Sequence, residues 1–156
     1  STRYSERFAA GVMMVGISDK VSKVGTTDIP DEEFHVHALE RPWDDWQKML
    51  ERSPITHAGN CKTPLLILHG KDDPRVSPTQ SRELYRHLKL RSQAPVRLVL
   101  YPGEGHGNRR AASRFDYALR SLEWFEHYLL GPGGAMPDAV LEYGADKKAV
   151  PVEAGG

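Results

Sequence analysis

The chain has 156 residues, with 21 basic and 21 acidic side chains and a formal net charge of zero. That length supports one domain with its own core. The balanced charge, with no stripe of Lys and Arg, argues against nucleic acid or an anionic membrane surface as the main partner. No apolar run approaches the roughly 20 residues a membrane span needs.

Residues 1–8, with Tyr4 and Phe8 four apart, read as the end of a helix. Residues 9–16 (Ala-Ala-Gly-Val-Met-Met-Val-Gly) are short, apolar and closed by Gly16, which predicts a buried strand. Residues 16–30 are rich in Gly, Ser, Thr and Asp and read as loop. Two helical pieces follow, 31–40 and 42–52. Trp43, Trp46, Met49 and Leu50 share one face of the second, and Pro54 ends it. Pro64-Leu65-Leu66-Ile67-Leu68-His69-Gly70 is a second buried strand. Ser77 then fits an N-cap and Pro78 a first helical residue, with Leu84 and Leu88 facing inward. Residues 93–95 turn the chain into a third strand, 96–100. In the last helix, about 111–130, Phe115, Ala118, Leu119, Leu122, Phe125 and Leu129 recur at three- and four-residue spacing, which predicts a core-facing stripe. Gly131-Pro132-Gly133-Gly134 stops that helix, and 131–156 is expected to be an extended Gly/Pro-rich appendage.

Strands alternating with helices imply an α/β fold with a parallel sheet and right-handed crossovers. Three strands make a thin sheet, and an unpaired apolar edge at Val12 is a liability. The expectation is therefore the carboxyl-terminal part of a larger sheet domain, spanning 1–130.

Chemistry concentrates at two strand ends. Tyr101-Pro102-Gly103-Glu104-Gly105-His106-Gly107 puts a histidine on a glycine-rich loop after the third strand, where α/β enzymes build their sites. An imidazole there suits a general base. After the second strand, Asp72 or Asp73 would accept the imidazole Nδ1 proton and fix its tautomer. Arg75 would offer a guanidinium to a substrate carbonyl or carboxylate. The structural alternatives are a hydrogen-bonded loop histidine, a turn aspartate and a surface salt bridge. An acid followed by a base in chain order is two thirds of a Ser-His-Asp hydrolase. No Gly-x-Ser-x-Gly occurs between Ser1 and Gly156, so no nucleophile is assigned within the chain.

The other candidates read as structural. His35 and His37 alternate but have no third ligand, so no metal site is expected. His69 is expected to pack or bond locally near the site, and His57, His87 and His127 to lie on the surface. Trp43, Trp46 and Trp124 read as core. Cys61, the single cysteine, excludes an internal disulfide, reads as a bystander and leaves the compartment open. No Gly-rich phosphate loop is present, and no cofactor is expected.

These segments resemble the prolyl oligopeptidase family of serine peptidases. Leu66-Ile67-Leu68-His69-Gly70-Lys71-Asp72-Asp73-Pro74-Arg75-Val76 is similar to the family's acid segment, and residues 101–107 to its histidine segment. Ser5-Glu6-Arg7-Phe8-Ala9-Ala10-Gly11-Val12 resembles the stretch shortly after the family's nucleophile, and Leu122-Glu123-Trp124-Phe125 its final helix. The resemblance implies an α/β-hydrolase domain, usually capped by an amino-terminal β-propeller, that cleaves short peptides. It picks Asp73 as the acid, His106 as the base and Arg75 as a substrate-carbonyl contact, with the nucleophile expected upstream of Ser1. Within the family the chain looks nearest to dipeptidyl- and acylaminoacyl-peptidases. On this reading the isolated chain is inactive, and its partners are a peptide substrate and the amino-terminal half of the domain. An esterase or lipase of the same superfamily, or a non-catalytic module docking through the edge at Val12, are the alternatives.

Overall fold

A computed structural model describes residues 1–141. Among these, three strands form one parallel sheet in the order β1 (Gly11–Met14), β2 (Leu65–Gly70), β3 (Val96–Tyr101). Leu65 is the hub of the register, opposite Gly11 on one side and Val96 on the other. Every residue of β2 is buried because the central strand is covered on both faces, which is why its sequence is continuously apolar rather than alternating. Successive side chains leave a strand on opposite faces. Leu65 and Ile67 therefore pack with Leu84 and Leu88 of α4 (Pro78–Arg91), while Leu66 and Leu68 pack with Trp124 of α5 (Ala111–Phe125). Ser77 caps α4 through the Thr79 amide and Pro78 opens it, as its sequence predicts.

The remaining elements are short. A 3-10 turn, Ser5–Arg7, leads into β1. α1 (Lys20–Lys23) is capped by Asp19, whose carboxylate accepts from the Val21 and Ser22 amides. A single α turn, α2 (Pro30–Glu32), runs on as a π turn, Glu33–His37. A 3-10 turn (Pro42–Asp44) precedes α3 (Trp46–Glu51), and another (Pro54–Asn60) leads to β2.

Several sequence expectations are corrected here. The end of a helix expected at 1–8 is only the 3-10 turn. The strand expected over 9–16 is half-buried and covers only Gly11–Met14, because it is an edge strand with one neighbour. The piece expected at 31–40 is the short α and π turns, and the piece at 42–52 breaks at Asp45, whose side chain caps α3 through the Lys48 amide. Trp43 and Trp46 are 51% and 46% exposed, so they are not core; Trp43 instead meets Phe34 edge-on at 5.3 Å. Helical periodicity reports amphipathicity, not which face finds a partner. The stripe on α5 shows the same point: Phe115, Leu122 and Phe125 are exposed, and Trp124 is the fully buried residue of that helix.

Beyond α5, the helix continues as a π turn, Glu126–Leu130. Residues 131–141 fold back along β3 and α5. Arg97 donates to the Pro137 and Asp138 carbonyls and Arg120 to the Ala139 carbonyl, and Leu141 is buried. The rest of the expected appendage lies outside the described residues.

Candidate active site

Because all three strands run the same way, the loops after Met14, Gly70 and Tyr101 gather at one edge of the sheet. The two loops after β2 and β3 are stitched together. The Lys71 amide donates to the Tyr101 carbonyl at 2.8 Å and the Asp72 amide to the Glu104 carbonyl at 2.9 Å. Gly70 makes this approach possible, since a Cβ there would sit 2.2 Å from the Gly105 carbonyl oxygen.

The stitching brings Asp73 and His106 together. Asp73 Oδ2 accepts from His106 Nδ1 at 2.9 Å. Oδ1 accepts from the Arg75 and Val76 amides at 2.9 and 3.0 Å, so the carboxylate is held from both sides. Asp73 is buried, whereas the His106 side chain is 41% exposed, and its Nε2 has no hydrogen-bond partner among the described residues. The arrangement orients an imidazole through one nitrogen and leaves the other open. That is what a general base requires. Asp72, the rival acid on sequence grounds, takes part through its backbone amide.

Arg75 pairs with Asp28: Nε donates at 2.8 Å and Nη2 lies at 3.5 Å. The pair holds the Asp28 carboxyl below its ordinary range, first through that side-chain hydrogen bond. Arg75 also lines the openings on both sides of His106.

Three residues to which the sequence assigned no catalytic role shape the site. His69 was expected to bond locally, and its surroundings are more specific than that. It is fully buried, its Nε2 donates to the Val76 carbonyl at 2.8 Å and lies 3.2 Å from Asp73 Oδ2, and its Nδ1 is 2.6 Å from Ser81 Oγ. Burial pushes its pKa down, so the ring is neutral, with Ser81 as donor to Nδ1. His69 thus backs Asp73 as His106 faces it. Glu104 is buried, and its carboxylate accepts from the Arg109 and Arg110 amides at 2.7 and 3.2 Å, tying the histidine loop to the start of α5. Those bonds, the Arg109 amide foremost, lower its pKa. Gln80, fully buried at the first turn of α4, accepts from the Ser18 and Asp19 amides and from the Ser18 hydroxyl, and donates to Ser22. It fastens the loop after β1. Ser77-Pro78-Thr79-Gln80 fits a capping box, in which the glutamine would reach back to the cap, and here tertiary contact takes it instead.

Of the other histidines, His37 lines an opening shared with His106. His57 and His127 bond main-chain carbonyls, and His87 lies beside Arg91. His37 is hydrogen-bonded to Glu33, and no group of three His, Cys, Asp or Glu side chains among the described residues is placed to hold a metal. Cys61 is buried, which raises its pKa and leaves it the unreactive thiol.

In sequence and in fold the chain is similar to known peptidases. The rat acylamino-acid-releasing enzyme is 32% identical over 135 residues, covering 81% of this chain and 18% of its own length. Dipeptidyl aminopeptidase BIII of Pseudoxanthomonas mexicana is 36% identical over 110 residues, covering 67% and 16%. A puromycin-hydrolysing peptidase of Mycobacterium tuberculosis superposes with a TM-score of 0.70 at 28% identity, over 79% of this chain and 19% of that one. The acylaminoacyl peptidase of Pyrococcus horikoshii shares the fold at a TM-score of 0.77 and 24% identity, over 87% and 22%. The chain therefore spans less than a fifth of the length of these curated relatives. Its sheet and flanking helices are part of an α/β-hydrolase fold. The prolyl oligopeptidase family model matches residues 1–131, and the chain belongs to the prolyl oligopeptidase family of peptidases.

Proposed function

We propose that this chain supplies the acid and base of a Ser-His-Asp peptidase whose nucleophilic serine comes from polypeptide upstream of Ser1. The observation that carries the reading is the 2.9 Å contact between His106 Nδ1 and Asp73 Oδ2, with His106 Nε2 left open. In the assembled site, Nε2 takes the serine proton as the hydroxyl attacks a peptide carbonyl, then returns it to the leaving amine. Asp73 fixes the tautomer and stabilises the imidazolium while remaining ionised itself. Arg75, steadied by Asp28, keeps guanidinium donors for a substrate carbonyl at the rim. The substrates are short peptides, including acylated or amino-terminal dipeptidyl ones.

The test is complementation. The chain is mixed or co-expressed with the nucleophile-bearing half of a relative's hydrolase domain, and fluorogenic acylaminoacyl and dipeptidyl substrates are followed alongside simple esters. The chain alone is expected to be inert and the pair to hydrolyse the peptides. Asp73→Asn should lower kcat about 10⁴-fold and His106→Ala on the order of 10⁶-fold. Turnover by the lone chain that disappears in His106→Ala refutes the reading, as does a complemented pair that cleaves only the esters.

A further inference from the structure

A cavity of about 350 Å³ opens beside His106, between the loop after β1 and the loop after β2. That volume lies in the range of small-molecule sites. Val15, Ile17, Ile29 and Val76 give it apolar walls, and Arg75 stands at its rim. Lys23 backs it. The Lys23 side chain is 1% exposed, and Nζ has no hydrogen-bond partner among the described residues. A buried ammonium with three unused donors is costly and is normally satisfied.

The neighbouring charges do not meet that need. Glu33 Oε1 is 3.6 Å from Lys23 Nζ, beyond hydrogen-bond range for a pair that burial should have drawn together. The Glu33 carboxylate is itself shared: Lys20 Nζ lies 4.0 Å from Oε2, and His37 Nδ1 lies 2.7 Å from Oε1. One buried carboxylate thus faces two ammonium groups and an imidazole. Glu32, the acid that lines the cavity, is exposed and sits 3.7 Å from His37 Nε2. The wall carrying Lys23 is rigidly set. Gln80 pins Ser18 and Asp19, and Val15 turns the chain at a φ of +45°, a strained angle for a β-branched residue and one that recurs at ligand clamps.

We propose that this cavity receives a carboxylate-bearing side chain of the substrate, with Lys23 as the group that meets it. Acceptance of the peptidase reading makes that side chain an aspartyl or glutamyl residue next to the bond attacked beside His106. The apolar walls hold the methylene stem, and the carboxylate completes the donors of Lys23.

The test uses the chain itself and three probes: the α-amides of N-acetylglutamic acid, N-acetylglutamine and N-acetylleucine. Amide and His106 ring signals are followed by NMR during titration. The glutamic acid probe is expected to bind at least about tenfold more tightly than the other two. Lys23→Met should abolish that preference. The double variant K23M/E33Q, which removes the lysine and its carboxylate together, should remain folded and lack it too. Equal affinities, no saturable binding of the glutamic acid probe up to about 10 mM, or a preference that survives in the variants would overturn the assignment. Binding needs no nucleophile, so the two readings fail separately. Correct probe selectivity without hydrolysis in the complemented pair sinks the peptidase reading alone. Equal hydrolysis of glutamyl and leucyl peptides sinks the pocket alone.

Discussion

Gln80→Ala removes the clamp between α4 and the loop after β1. The residue is fully buried, and its Oε1 accepts from the Ser18 amide at 2.9 Å and the Asp19 amide at 2.8 Å. Both amides lie in buried residues, and each loses its partner in the variant. A buried donor left without an acceptor costs about 1–3 kcal/mol. Two of them, less what an entering water would recover, give a loss of about 3 kcal/mol. For a chain of this size that lowers Tm by roughly 6–12 °C. Far-UV circular dichroism during thermal and urea unfolding measures the change. Ser22→Ala is the internal control, because it removes only the 2.8 Å bond from Gln80 Nε2 and should cost about 1 kcal/mol. A Gln80→Ala protein within about 0.5 kcal/mol of the parent, or no worse than Ser22→Ala, would show that Gln80 does not hold the loop.

Three further outcomes are expected. Burial lowers the pKa of His69 below its ordinary 6.5, so its folded form is neutral. The unfolded chain then takes up the proton first as pH falls. Stability from this group is complete above pH 6.5 and declines as pH drops through the lower folded value, so urea midpoints of the parent should fall faster below pH 6.5 than those of His69→Gln. Parallel pH profiles would refute this. Glu104 is the opposite charge type: its carboxylate, stabilised by the Arg109 amide, has a pKa held below its ordinary 4.5. Its contribution is complete above pH 4.5 and lost as pH falls through the folded value. The stability gap between the parent and Glu104→Gln should therefore be widest near neutrality and close in acid, and a gap that does not change with pH contradicts the role. Gly70→Ala forces a Cβ to within 2.2–2.3 Å of the carbonyl oxygens of Gly105 and Glu104. It should lose soluble expression, or displace the His106 ring signals in NMR; a soluble protein with parental Tm and unchanged His106 resonances contradicts the close loop crossing.

Much of the α/β frame was legible because its signals are local. β2 and β3 are short apolar runs with turn residues on either side, and α4 announces itself with Ser77 and Pro78. The two loops that carry Asp73 and His106 could be placed at strand ends on the same evidence. What misled were patterns that specify an apolar face without a partner for it. Trp43 and Trp46 stand on two short surface elements, and Phe115 and Leu122 on the outer face of α5. The support of the site was not legible at all. His69 and Ser81 are separated by 12 residues, Ser18 and Gln80 by 62, and no periodicity links such pairs.

By itself, then, the sequence determined the element types along the sheet and the residue chemistry at two strand ends, since propensity, capping and alternation act over a few residues. Only the tertiary structure brought Asp73 Oδ2 to 2.9 Å from the imidazole, put a second histidine behind it, and made Glu104 and Gln80 anchors. It also leaves Lys23 Nζ buried beside the same cavity as His106, with no hydrogen-bond partner among the described residues. Hydrogen bonds and desolvation depend on distances of a few ångströms between segments far apart in the chain. Those distances are set by the register of three parallel strands and by Gly70, which lets two loops touch.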